Sequence, residues 1–457
     1  MVSIQGKADK QWSHCDGISR RSFVQAGGMA MGGLSLAQLL SLEAAENKGS
    51  SQKAVINVFL PGGPSHLDMF DMKPEATSEF RGEFSPISTN VPGIQICELF
   101  PKLAKIADKF SIIRSLHDSA GAHSGYQCMT GRTKRQQATA PAGGWPNWGS
   151  WVSKLQGNHP GMPANVALMY PTGNAPWGDP LDGGFLGTAH SPMNLVQKDL
   201  KAKPKNLTLQ DITLDRLNDR ERLRSAIDNL RRDIDRSGQM EGLDTYSQQA
   251  LGILSDSGLA EALDLSKEDP KVVERYGVNI PQYQRDGAPK MVRNFCVARR
   301  LVEAGARVVS MNYARWDWHG GDGMNFPRSR QEFPLLDQGI SALITDLHER
   351  GLDKDVTVVV WGEFGRTPRI NKNNSRDHWP RVTFALMAGG GLNHGQVIGS
   401  TDKNGSDVVD RPLKFQEVFA TMYHALGINP RIATVRDTGG RPQYLVDPGT
   451  LPIRELI

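Results

Sequence analysis

The chain has 457 residues, 39% of them hydrophobic and 22% charged, with a formal net charge of +4 at pH 7. That length and apolar share suffice for one large α/β domain with insertions, or for two domains, around a substantial core. So small a charge argues against a nucleic-acid partner, and the four cysteines (Cys15, Cys97, Cys128, Cys296) lack the CxxC spacing of a cysteine-based zinc site. A disulfide stays open, with a thiol left over.

Ser19-Arg20-Arg21-Ser22-Phe23-Val24 precedes an uncharged stretch, Gln25 to Leu42, and the small pair Ala44-Ala45. A positive start, a modest apolar middle and a small-residue exit form an export signal. Paired arginines followed by Phe and an aliphatic residue resemble the twin-arginine type. Residues 1–45 are therefore expected to be a signal peptide read by the twin-arginine machinery, and residues 46–457 a domain delivered to the periplasm or beyond. The segment is short and glycine-rich for a stable membrane span, and no other stretch approaches spanning length without charges.

Ala54 to Leu60 reads as a buried strand, broken by Pro61-Gly62-Gly63-Pro64. Ser65 is placed to cap a helix or turn beginning at His66. Ser65, His66 and Asp68 follow the strand's C-terminal end, where open α/β sheets bind ligands, so they are candidates for the site. Leu99 to Phe110 has helical spacing. Ser111 to Leu116 is a strand opening onto His117–Gly125, which contains His123, followed by Thr130-Gly131-Arg132. The segment at about 140–192 is rich in Trp, Gly and Pro. Trp145, Trp148, Trp151 and Trp177 line either a carbohydrate-binding face or a packed lid. Asp211 to about Leu265 is charged and helix-periodic, within an insertion at about 205–290. Helices over Met291–Ala304 and Leu335–Arg350, the latter stopped by Gly351, feed strands at Val308–Tyr313 and Val356–Trp361. A further strand, Val382–Met387, and a helix, Phe415–Leu426, close the chain. This alternation argues for a parallel sheet.

Two of these strands end in chemistry. Val308–Tyr313 runs into Trp316-Asp317-Trp318-His319, and Val356–Trp361 into Gly362-Glu363-Phe364-Gly365-Arg366, followed by Arg376-Asp377-His378. On an extended segment Asp317 and His319 point the same way, and His378 adds a second imidazole. One Asp and two His with open positions suit a single catalytic Zn²⁺ or Mn²⁺ better than Ca²⁺ or Mg²⁺. Glu363 is a further ligand or a general base, Asp377 and Asp68 orient groups from behind, and the fork of Arg366 suits a tetrahedral oxyanion.

The order of these motifs resembles domain-of-unknown-function family 1501, an exported bacterial family within the alkaline-phosphatase/sulfatase superfamily. The resemblance spans about Ala54 to Pro430. It rests on Gly-Gly-Pro-Ser-His-Leu-Asp, His-Ser-Gly with Thr-Gly-Arg, Asp-x-His-Gly, Glu-Phe-Gly-Arg and Asp-His. It implies an alkaline-phosphatase-like α/β sandwich: a mostly parallel central sheet, helices on both faces, a helical insertion and metal at the C-terminal strand edge. It also implies sulfatase- or phosphatase-like hydrolysis of sulfate or phosphate esters of small molecules or polysaccharides. Asp317, His319 and His378 match one metal half-site. Gly121 stands where the superfamily has its nucleophile, with Ser119, His123 and Ser124 the nearest substitutes. Leu60-Pro61-Gly62 replaces the first-strand Asp, and Glu363-Phe364 an Asp-His pair, so one metal ion is expected. Two further readings stay open: a non-enzymatic glycan- or anion-binding envelope protein, and a metal used for folding alone.

Overall fold

The computed structural model describes residues 53–159, 161–173, 177, 179–196, 257–320 and 324–457. The twin-arginine pattern, Cys15 and residues 205–256 of the insertion lie outside the described residues.

The main sheet is built from β1 (Ala54–Phe59), β2 (Phe110–His117), β3 (Asn165–Leu168), β4 (Met193–Asn194), β5 (Val308–Asn312), β6 (Val356–Trp361), β7 (Thr383–Gly389), β8 (Gln396–Ile398) and β9 (Leu413–Lys414). Their order is β8-β2-β7-β6-β1-β5-β3-β4, with β9 beside β2. All run the same way except β7, which is antiparallel to both β6 and β2. β1 lies at the centre, Val55 standing between Val308 and Thr357.

A strand covered on both faces gains nothing from polar alternation, which is why β1, β5 and β6 read as near-continuous apolar runs. Ile56, Val58, Val309, Met311, Val358 and Val360 pack with one core, and Val55, Phe59, Val308, Val359 and Trp361 with the other. The polar residue of β1, Asn57, accepts the Trp361 indole N–H at 2.9 Å. The helices that matter below are α1 (His66–Met69), α2 (Tyr126–Thr130), α3 (Lys134–Ala138), α4 (Trp148–Gln156), α5 (Asn294–Glu303), α6 (Asn325–Glu349) and α7 (Phe415–Ala425). Side chains of α5 and α6 fill the first core, and those of α4 and α7 the second. The fold is therefore α/β with a mostly parallel central sheet and helices on both faces, as the resemblance implies.

Two local expectations change, and two open readings narrow. The periodic stretch Leu99–Phe110 is a short helix, Pro101–Ala104, and a 3₁₀ turn, Ala107–Lys109. The N–H groups of Lys105, Ile106 and Lys109 bond three residues back, which tightens and ends each turn. α6 begins ten residues before Leu335 and runs through Pro334. Proline normally ends a helix, but Phe333 stacks on Phe100 with ring centroids 5.0 Å apart and on Trp316 at 6.0 Å. That packing holds the turn together. Trp148, Trp151 and Trp177 are buried in the protein, and Trp145 is half-buried. Cys97, Cys128 and Cys296 are buried free thiols. No helix among the described residues is long and apolar enough to cross a membrane.

Candidate metal centre

Because β1, β2, β5 and β6 are parallel, the loops after them open at one edge, where open α/β sheets carry ligands. β7 runs the other way, so the segment leading into it starts at that same edge. Its register there is set by a two-residue ladder that pairs His378 with Arg366 and Trp379 with Gly365.

Asp317, after β5, is the hub. Its Oδ1 accepts from Arg366 Nη2 at 2.8 Å and lies 3.1 Å from His378 Nε2. Its Oδ2 lies 3.2 Å from His319 Nε2, 3.3 Å from His123 Nε2 and 3.3 Å from Arg315 Nη2. One buried carboxylate thus faces three imidazoles and two guanidinium groups. Burial works against its charge. The hydrogen bonds from His123 and His378 and the charge of Arg366 outweigh burial and hold the carboxyl far below the usual range.

The glycine loop after β1 makes this approach possible. A Cβ at Gly62 would stand 2.4 Å from the Asp317 backbone nitrogen, and φ there is +110°, a conformation open to glycine. The Gly62 N–H donates to Glu363 Oε1 at 2.8 Å and Oε2 at 3.2 Å. Glu363 in turn lies 3.6 Å from His123 Nδ1. The two ring environments differ. Burial opposes the charge of His123, but Asp317 and Glu363 together outweigh it and raise its pKa to about 9. For His319 burial prevails, aided by Arg366 and His378 against the single carboxylate of Asp317, and its pKa falls.

The structure regroups the expected site. His123, Asp317 and His378 offer donor atoms that all lie within 4.8 Å of one another. His319 stands beside that group, its ring centroid 5.4 Å from that of His378, while Glu363 sits behind His123, bonded to Gly62. His123, read as a catalytic candidate, thus joins the group where His319 and Glu363 were expected as ligands. The loop after β2 brings it there, under the Trp177 ring at 4.7 Å.

Arg366 is not placed as an oxyanion clamp. It is fully buried, and its guanidinium donates to the carbonyls of Gly63 (2.7 Å), Trp316 (3.2 Å), Arg376 (3.2 Å) and Gly62, besides Asp317. Ser65 caps α1, and its hydroxyl donates to Asp68 at 2.6 Å. His66 is a satisfied core histidine, its Nε2 3.1 Å from the Gly405 carbonyl and its Nδ1 3.4 Å from the Arg366 backbone nitrogen. Asp68 is held by the Arg376 fork at 2.8 and 3.1 Å, away from the imidazoles. Asp377 is exposed and accepts from Asn371 at 3.0 Å, so it does not orient His378. All five belong to the scaffold. Arg315 and Arg376 were missed. Buried arginines flanking Asp and His in loops were the available signal.

Gly121, with φ +66°, faces Pro380, whose ring a Cβ would approach to 3.1 Å. Ser119 donates to the Pro380 carbonyl at 3.2 Å, and Ser124 accepts from the Tyr126 N–H at 3.4 Å. Among the described residues no hydroxyl hydrogen-bonds Asp317, His123 or His378. The residues nonetheless fit a divalent cation. Two imidazole nitrogens and a carboxylate oxygen, all within 4.8 Å of one another, are the donor set of an open Zn²⁺ or Mn²⁺ site. His123 also lines a cleft of about 790 Å³, whose wall does not include Asp317, His319 or His378.

The family model described as "Protein of unknown function (DUF1501)" matches residues 52–457. The chain belongs to this family. No curated protein matches the DUF1501 chain significantly. Among solved structures it is similar to the phosphonate monoester hydrolase SpPMH from Silicibacter pomeroyi, with TM-score 0.38 and 12% identity over 86% of this chain and 78% of that one. It is also similar to the PsFucS1 sulfatase from Pseudoalteromonas sp., with TM-score 0.37 and 10% identity over 92% and 76%. A third is the lipoteichoic acid synthase LtaP from Listeria monocytogenes, with TM-score 0.34 and 11% identity over 82% and 72%.

Proposed function

We propose that this DUF1501 protein is a metal-dependent hydrolase of sulfate or phosphate esters, exported by the twin-arginine route, with its reaction centre at Asp317. One observation carries the reading: a single buried carboxylate meets three imidazoles at the C-terminal sheet edge, beside an open cleft. His123, Asp317 and His378 are the residues that would hold a divalent cation. Such an ion supplies Lewis-acid polarisation of the ester's oxygen.

The chain's own groups do the rest. Glu363, fixed by the Gly62 N–H, steadies His123 from its Nδ1 side. Arg315 and Arg366 keep Asp317 ionised and in place. Burial lowers the pKa of His319 and its side chain is 40% exposed, so its ring is suited to take a proton from an attacking water. With glycine at position 121, water is the nucleophile. Its oxygen bonds to sulfur or phosphorus as the ester oxygen departs, in one displacement; the proton that water loses passes to His319, and the departing oxygen takes one up from solvent.

Turnover of an aryl sulfate, phosphate and phosphonate panel tests this. Product release is expected to need Zn²⁺ or Mn²⁺ and to fall by about 10²-fold or more in His319→Ala. Gly121, standing where the resemblance places a nucleophile, favours a second reading, a glycan- or anion-binding envelope protein without turnover. Saturable binding with no product under any metal would decide for it.

A further inference from the structure

The cleft that His123 opens onto has a mixed wall. Trp145 is half-buried there, and its indole is immobilised. The Arg132 guanidinium lies 4.1 Å from the ring centroid, and the indole N–H donates to the Gln136 carbonyl at 2.9 Å. Arg132 is itself anchored to Asp447 and to the Tyr444 and Leu445 carbonyls. Trp145 is therefore a rigid apolar plate in a polar cleft. Gln127 lines the same wall. Its amide nitrogen is bound by the Asp118 carbonyl at 3.0 Å, while its buried Oε1 has no partner. Asp179 and Asp182 are exposed on the wall, which Lys134 also lines. The two carboxylates feel each other, since burial and then the Asp182 charge raise the pKa of Asp179.

We infer that this cleft holds a saccharide, and that the sugar units lying in it are uncharged apart from the ester group at the reaction centre. The inference rests on the hydrolase reading and narrows its substrate. A sugar ring has a C–H face that lies against a fixed indole and hydroxyls that donate to carboxylate and amide oxygens. Away from the His123 ring, which is kept for the ester group, the wall offers two carboxylates against one ammonium, and that balance disfavours a contiguous polyanion, because like charges brought together repel and each must be desolvated. The anion belongs at the imidazoles, and the hydroxyls belong in the cleft.

Equilibrium binding of the full-length protein to an array of neutral, singly sulfated and densely sulfated oligosaccharides tests this. Singly sulfated chains are expected to bind better than densely sulfated chains of the same backbone. Trp145→Ala is expected to weaken that binding by about tenfold or more, with cation content unchanged. Asp179→Asn combined with Asp182→Asn, at two exposed positions, is expected to erase the discrimination against dense chains. Preference for densely sulfated chains, or no saccharide binding at all, overturns the inference. Cation content of the same sample tells separately whether the reaction-centre reading stands.

Discussion

Asp317→Ala is expected to lose about 3–5 kcal/mol of folding stability, the usual result of stripping one partner from a buried ion pair, and to lose the cation in the same step. The argument is electrostatic. Arg366 is almost fully buried, and Asp317 is the carboxylate it touches directly. Without it, a guanidinium remains in the protein with carbonyl partners and no carboxylate in direct contact, Glu363 acting only from a distance. Asp317→Asn keeps an acceptor on the site and should retain more stability while still losing the ion. A pH dependence follows. The folded-state pKa of Asp317 is depressed below its ordinary value of 3.8. The stability it contributes is therefore present above that pH and is lost as pH falls below it. The alanine variant should show less of this acid loss. Urea unfolding between pH 3 and pH 7 measures both effects. A variant within about 1 kcal/mol of the parent, with unchanged acid sensitivity, would mean that Asp317 is not the hub of the edge.

Asp68→Ala is expected to be comparably costly, by about 3–5 kcal/mol, and to weaken the centre from a distance. The Asp68 and Arg376 side chains are 1% and 0% exposed. Asp68 also accepts from Asn325 at 2.7 Å, tying the start of α6 to the pair. Arg376 donates to the carbonyls of Thr367 (3.0 Å) and Phe80 (2.7 Å) and to that of Pro368. It stands two residues before His378, so its fork fixes the loop that delivers an imidazole to Asp317. Loss of Asp68 should therefore lower cation affinity although the nearest cation ligand is elsewhere. A double-mutant cycle with Arg376→Met is expected to give a coupling of about 2 kcal/mol. Additive losses and unchanged cation affinity would confine Asp68 to a local turn.

These two carboxylates also show what was legible in the residues. β1, β2, β5 and β6 were readable because double burial leaves uninterrupted β-prone runs that stop at Gly, Pro or Asp. Asp317 was readable because it stands in the loop just past such a strand, and His378 because the Asp-His pair at 377–378 matched the resemblance. Ser65 was correctly read as a cap but not as a mere cap, because capping and catalysis use the same hydroxyl. The fates of His66, Asp68 and Arg366 depended on contacts about 300 residues apart: Gly62 and Gly63 against Glu363 and Arg366, and Asp68 against Arg376. Local patterning carries no such information. The antiparallel direction of β7 was equally silent, since an apolar run reads the same whichever way it crosses the sheet. That direction is what brings His378 to the edge.

The most direct test is the divalent-metal content of the purified protein, measured by elemental analysis beside a variant carrying both His123→Ala and His378→Ala. One Zn²⁺ or Mn²⁺ ion per chain in the parent, and none in a folded double variant, is the result expected if Asp317 shares a cation with these two imidazoles. A metal-free parent that takes up no ion on titration, or a double variant that keeps its ion, would contradict it.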